Sequence, residues 1–164
     1  MRGSIANSRG SAEPQGQPFV HSTDLADGRI GPLSRWYAHA PRSVAGSALL
    51  FPRVGRMRVD KLVHKQDSST IILSDCVIAC KTPDRADESA LLDLMQRDWS
   101  NFFRLWAGSC APYVTMSRLE EAFTLLGYEV EIVENMMLDA QLDQRVERAC
   151  SRISRSPQPV PVYL

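Results

Sequence analysis

Residues 103–119, FRLWAGSCAPYVTMSRL, decide how the chain is read. Phe103 and Trp106 close one helical pattern, the twelve residues from Ala107 to Arg118 read as a loop, and Leu119 stands in a second pattern. In the first, Leu91, Leu92, Met95, Trp99, Phe102, Phe103 and Trp106 recur at steps of three and four, one wide apolar helix face. That helix is predicted to start near Thr82 or Asp84, with Pro83 in its first turn and acidic residues where the helix dipole favours them. Gly108 ends it. The second helix is announced by Ser117 and Glu120, the spacing of a capping box. Leu119, Ala122, Phe123 and Leu126 form its stripe, and Gly127 ends it.

A chain of 164 residues has room for one ordinary domain or two small lobes. With 19 basic and 19 acidic side chains no global field draws it to a polyanion, so nucleic acid and anionic membranes are poor first guesses. No apolar run approaches the roughly 18 residues that span a bilayer, and the longest, around Thr70 to Cys80, is broken by Ser74 and Asp75. A soluble protein is expected. The start, MRGSIANSRGSA, is basic and hydroxylated and faintly suggests a transit peptide, but it has no apolar face. Residues 1–16 are therefore predicted to be a disordered tail.

Cys76, Cys80, Cys110 and Cys150 contain no C-x-x-C pair, and His21, His39 and His64 do not stand at zinc-ligand spacing from them. In a strand Cys76 and Cys80 would lie about 13 Å apart, too far for a disulfide. In a helix they would share one buried face. Either way they read as reduced core cysteines of an intracellular protein. Neither a cofactor nor a metal is expected, and no nucleophile elbow, phosphate loop or catalytic carboxylate pair points to an enzyme.

Three segments allow more than one reading. RMRVDKLVHKQDSSTIILSDCVIAC, residues 56–80, has a β-branched second arm and turn chemistry at QDSS, as a two-stranded hairpin would. Residues 128–134 alternate like a strand through Tyr128, Val130 and Ile132, yet Val130, Val133, Met136 and Met137 suit a helix. The end, PQPVPVYL, is extended by its prolines and reads either as a frayed tail over 156–164 or as a proline-rich ligand. Before it, Leu138, Leu142, Val146, Ala149 and Ile153 have nearly helical spacing.

The opening stretch, taken with these, resembles the calmodulin and myosin light-chain family of EF-hand proteins. Phe103 and Trp106 match that family's helix end, Val114 its apolar eighth loop position, and Leu119, Phe123, Leu126 and Gly127 its exit helix. Similar loops begin near Thr23 (TDLADGRIGPLS), His64 (HKQDSSTIILSD) and Gln141, a regular spacing over the chain. The resemblance implies an all-α, calmodulin-like fold with four EF-hands in two lobes, 17–81 and 82–155. Short β pairings would join the loops, Ile30 beside Ile71 and Val114 beside Val146. The ligands are missing: the third loop holds Ala107, Ser109, Ala111, Pro112 and Arg118 where calcium needs oxygens and a glycine, so the hands are degenerate and ion-free.

What the resemblance implies for function is a calcium-independent, light-chain-like adaptor that clamps an amphipathic helix of a myosin-type neck or another large partner, in the cytoplasm or on the cytoskeleton. Its groove candidates are Phe102, Phe103, Trp106, Leu119, Phe123, Leu126, Met136 and Met137; the same side chains, Phe103, Leu119 and Phe123 above all, read equally as core. Arg53, Arg56, Arg58, Lys61 and Lys65 read as a solvated face or as a guide for an acidic partner. The alternatives are an accessory subunit of a large complex, or a small β-barrel, OB-like, in which 55–80 supplies strands and the arginines meet phosphates.

Overall fold

Strand β5 (Ala48–Pro52) is buried at all five positions because both of its faces are covered. Strand side chains alternate, and β5 divides accordingly. Leu49 and Phe51 pack with Leu91, Met95, Phe102, Trp106, Leu119 and Phe123, whereas Ala48 and Leu50 pack with Val20, Leu25, Ile71 and Leu73. Two-sided burial explains why SALLFP and CVIAC read as continuous apolar runs without a polar alternate.

The computed structural model describes residues 1–3, 5–6, 11–12, 14–38, 43–132 and 161–164. Antiparallel partners flank β5: β6 (Val63–Lys65), with Leu49 opposite His64, and β8 (Val77–Cys80), with Leu50 opposite Ala79. Below this sheet lies a second, in which β1 (Gln17–Val20) pairs antiparallel with β4 (Trp36–Tyr37) and parallel with β7 (Ile72–Leu73). The tight hairpin β2 (Leu25–Ala26) to β3 (Arg29–Ile30) adds Leu25 to the space between the sheets. Above β5 lie α1 (Arg85–Arg97), α2 (Trp99–Phe103) and α3 (Met116–Leu125). Strand β9 (Glu129–Glu131) follows α3 and pairs in parallel with β10 (Pro161–Tyr163).

This architecture overturns the all-α reading. Three α-helices, two single-turn 3-10 helices and ten strands make up the described elements, and one core joins β5 and β8 to the α-helices across the 81/82 boundary of the two expected lobes. Within the described residues the loops that resemble ion sites have other uses, and the one near Gln141 lies outside them. In TDLADGRIGPLS, Asp27 (φ 52) and Gly28 (φ 69) both sit in the left-handed region, as the two central residues of a type I′ hairpin turn must. The Asp-Gly pair that imitates ligand positions is thus turn chemistry. In HKQDSSTIILSD, His64 and Lys65 belong to β6, Asp67 caps a turn through the Ser69 amide at 2.8 Å, and Ile72 enters β7. The expected loop pairings do not form: Ile30 lies opposite Leu25, Ile71 bridges Val44, and the Val114 amide donates to the Arg53 carbonyl at 3.0 Å. Val146 lies outside the described residues.

The hairpin expected over 56–80 is split, because β5 inserts between β6 and β8 while β7 joins the other sheet. The helix expected to run unbroken to Trp106 breaks at Asp98 (ψ 33). Thr115, not Ser117, caps α3, accepting from the Arg118 amide at 3.3 Å. The strand alternative holds at Glu129–Glu131. At the termini, Met1 and Ile5 are buried and Ile5 bridges Ser74, while Val162 and Leu164 enter the helix-side core.

Candidate functional site

The opening stretch does not loop freely between helices. It folds back on the segment that follows β5. The Ala107 and Tyr113 backbones exchange hydrogen bonds at 3.1 and 3.0 Å, closing a small loop, and the Gly55 amide donates to the Pro112 carbonyl at 2.8 Å. With Val114 bonded to Arg53, residues 53–55 and 112–114 make one paired ridge. Its root is Trp106, 6 % exposed, whose indole donates to the Pro52 carbonyl at 3.0 Å and whose ring meets Phe51 edge-on. Gly55 (φ 97) lets the chain reverse there, in a conformation that a side chain would strain.

From this rooted base the ridge presents Arg56, Arg58, Ser109, Cys110 and Tyr113 to solvent, with Tyr113 45 % exposed. The β2–β3 turn stands beside it, because the Gly28 amide donates to the Asp60 carbonyl at 2.8 Å, which brings exposed Arg29 next to residues 58–61. Arg29 and Arg56 make no hydrogen bond or ion pair among the described residues, and Arg58 pairs only with Asp60 at 2.9 Å. Arg53 and Arg35 differ from these. Arg53 donates to the Asp75 carbonyl at 2.7 Å, and Arg35 grips both Asp24 oxygens while lying over Phe19.

Of the five cations that the sequence singled out, Lys65 is therefore not a surface group at all. Its side chain is 1 % exposed and its ammonium donates to the carbonyls of Gly46, Asp67 and Ser69. It binds two loops together. Asp67 closes this staple, and its carboxyl is held at about 2, below its ordinary 3.8, first by the Ser69 hydroxyl and next by Lys65. A depressed folded value adds stability above the unfolded value and loses it as pH falls. Asp67→Asn should thus lower the urea midpoint slightly at pH 5, with the gap to wild type closing between pH 4 and pH 2. An effect undiminished at pH 2 would contradict the assignment. The gain is small because Asp67 is largely exposed.

Net neutrality conceals an uneven distribution. Residues 1–83 carry eleven Lys and Arg against six Asp and Glu, whereas residues 84–132 carry four against nine. The ridge and the β2–β3 turn belong to the basic part except at 107–114, which adds no acid. Counting charge by segment would have found this surface in the sequence; the whole-chain sum cancelled it. No protein-family model matches the chain, and no curated protein matches it significantly.

The sequence-derived groove residues separate into two groups. Phe102, Trp106, Leu119 and Phe123 are core, at most 6 % exposed, with the Phe102 and Phe123 rings 5.9 Å apart. Phe103 and Leu126 are 48 % and 39 % exposed and are joined by Leu125 at 82 %, which the sequence reading did not select. Met136 and Met137 lie outside the described residues.

One polar cluster has the residue types of a catalytic triad. His64 Nε2 lies 3.0 Å from Glu88 Oε2 and 3.2 Å from Ser47 Oγ, Ser47 also hydrogen-bonds Glu88, and Gln66 occupies His64 Nδ1 at 3.2 Å. Acid and hydroxyl compete for one ring nitrogen, so the imidazole is not poised to take the serine proton as a triad histidine is. The cluster ties α1 to β6. Neither Cys76 nor Cys80 is a reactive thiol: burial pushes the Cys80 thiol up to about 12 and raises that of Cys76, against the thiolate that such chemistry needs. Cys76, Cys80 and Cys110 are free thiols. Among the described residues no helix is long and apolar enough to cross a membrane.

Proposed function

We propose that the chain is a non-catalytic nucleic-acid-binding module that uses the 53–61/107–114 ridge and the neighbouring β2–β3 turn. The observation that carries this reading is the exposed Tyr113 on a hydrogen-bonded ridge that also carries Arg56 and Arg58, with Arg29 on the turn that bonds Asp60; among the described residues Arg29 and Arg56 have no ion-pair partner. Free guanidinium groups on short loops suit phosphate oxygens, which accept their forked donors. An exposed aromatic ring beside them offers a base a stacking surface. The loop tip Gly108–Ala111 carries no charge, so a backbone can approach it without repulsion.

This reading descends from the β-barrel alternative but not from its geometry, because the described strands form separate two- and three-stranded sheets and no closed barrel. It departs from the light-chain adaptor, which depended on two lobes of paired hands.

Fluorescence anisotropy with a labelled 20-nucleotide single strand, its duplex and heparin tests it. Binding of either DNA form is expected, with log Kd changing by about 2.7 per tenfold change in salt if three phosphates are engaged. The form that engages Tyr113 should weaken about tenfold with Tyr113→Ala, since stacking contributes roughly 1–3 kcal/mol per base. Heparin binding as tight as that of DNA and indifferent to Tyr113 would reduce the surface to a general polyanion site and defeat the proposal.

A further inference from the structure

The exposed ring on the ridge narrows which form of nucleic acid the surface can take. Tyr113 is held at its backbone by the two hydrogen bonds with Ala107, and among the described residues no other aromatic ring pairs with it. Its edge lies over Gly108. A Cβ at that glycine would stand 3.6 Å from Tyr113 Cδ1 and 3.2 Å from the Ala111 carbonyl oxygen, so bare backbone seats the ring. Nearly half of the residue, 45 %, stays open to solvent.

We infer that the ridge takes single-stranded rather than duplex nucleic acid, with one unpaired base lying on Tyr113 and phosphates of the same strand meeting Arg56, Arg58 and Arg29. This rests on the function proposed above and narrows it. In a duplex each base face is covered by its neighbours, and an aromatic side chain reaches one only where the base is unstacked. Reading a duplex through its major groove takes an α-helix or a two-stranded ribbon. The ridge offers neither. Its pairing between 53–55 and 112–114 comes down to one bridge, Val54 with Tyr113, and Val59–Lys61 is a single 3-10 turn. The two longer helices are unsuited by charge: α1 carries Asp87, Glu88 and Asp93 against Arg85 and Arg97, and α3 carries Glu120 and Glu121 against Arg118. Phosphate contacts are also few. The formal charge is zero, and Arg53, Lys61 and Lys65 are turned to backbone carbonyls, so three arginines supply the ionic attraction and a base on Tyr113 adds what a duplex cannot.

The test is fluorescence anisotropy on the full chain at one salt concentration with three labelled probes: a single strand, its duplex, and the same strand with abasic sites in place of its bases, which keeps the phosphates. The single strand is expected to bind about tenfold more tightly than either of the others. Tyr113→Ala should erase that advantage, and Tyr113→Phe, which keeps the ring, should preserve it. The tighter-binding of the DNA and RNA versions of the strand identifies the source, and the same pattern is required of it. Equal or tighter binding of the duplex or of the abasic strand, or an advantage that survives Tyr113→Ala, would overturn the inference and leave nucleic-acid binding itself standing. The abasic comparison uses the wild-type chain, so it decides even where Tyr113→Ala fails to fold. Binding of none of the probes would overturn the inference and the proposed function together.

Discussion

Charge reversal at the ridge, Arg56→Glu with Arg58→Glu, is expected to weaken DNA binding about a hundredfold at 0.1 M salt and to flatten the salt dependence by about two phosphate equivalents. Each exchange removes a cation that releases a counterion and installs an anion beside the phosphate. The fold should tolerate both. Arg56 has no partner among the described residues and Arg58 has only the exposed pair with Asp60, so stability should change by no more than about 0.5 kcal/mol. Arg53 supplies the contrast: its guanidinium holds the Asp75 carbonyl, so Arg53→Glu should lower stability and binding together.

The largest stability effect is expected at Trp106. Trp106→Ala removes a ring packed on Phe51 and leaves the Pro52 carbonyl without its indole donor, and should cost about 3–5 kcal/mol in urea unfolding. Trp106→Phe keeps most of the packing and loses the hydrogen bond, a cost of about 1–3 kcal/mol. Because this residue roots the ridge, both variants should also loosen the 107–114 loop. Leu125→Ala, at an 82 % exposed position, should cost less than about 0.5 kcal/mol. The light-chain reading had Trp106 and Leu126 in one groove; the two costs would separate a core residue from a surface one.

The helices were legible because their apolar spacing is set by the surface they bury. Leu91, Met95, Phe102, Leu119 and Phe123 are core as that spacing implies. Their surroundings were not legible. An amphipathic helix shows that it packs on something apolar, and the same stripe serves against a partner helix or, as here, against Leu49, Phe51, Ile78 and Cys80 of a sheet. The short strands hid for a related reason. Seven of the ten have only two or three residues, five between Leu25 and Leu73 and two at the far end, too few for a period of two to declare itself, and β5 and β8 are buried on both faces. Short loops also share their chemistry: Asp, Gly and Ser at close spacing suit an ion loop and a hairpin alike, and only the left-handed Asp27 and Gly28 distinguish them. The ridge escaped because its two halves, 53–58 and 107–114, are far apart in sequence and meet through backbone hydrogen bonds that no side-chain pattern announces.

Backbone amide exchange on the full chain, with and without saturating DNA, tests the central claim most directly. Binding at the ridge should slow exchange in residues 53–61 and 107–114 and at the 26–29 turn, and leave the far end of α3, residues 121–126, unchanged. Protection confined to α2 and α3, or no protection anywhere despite measured binding, would contradict it.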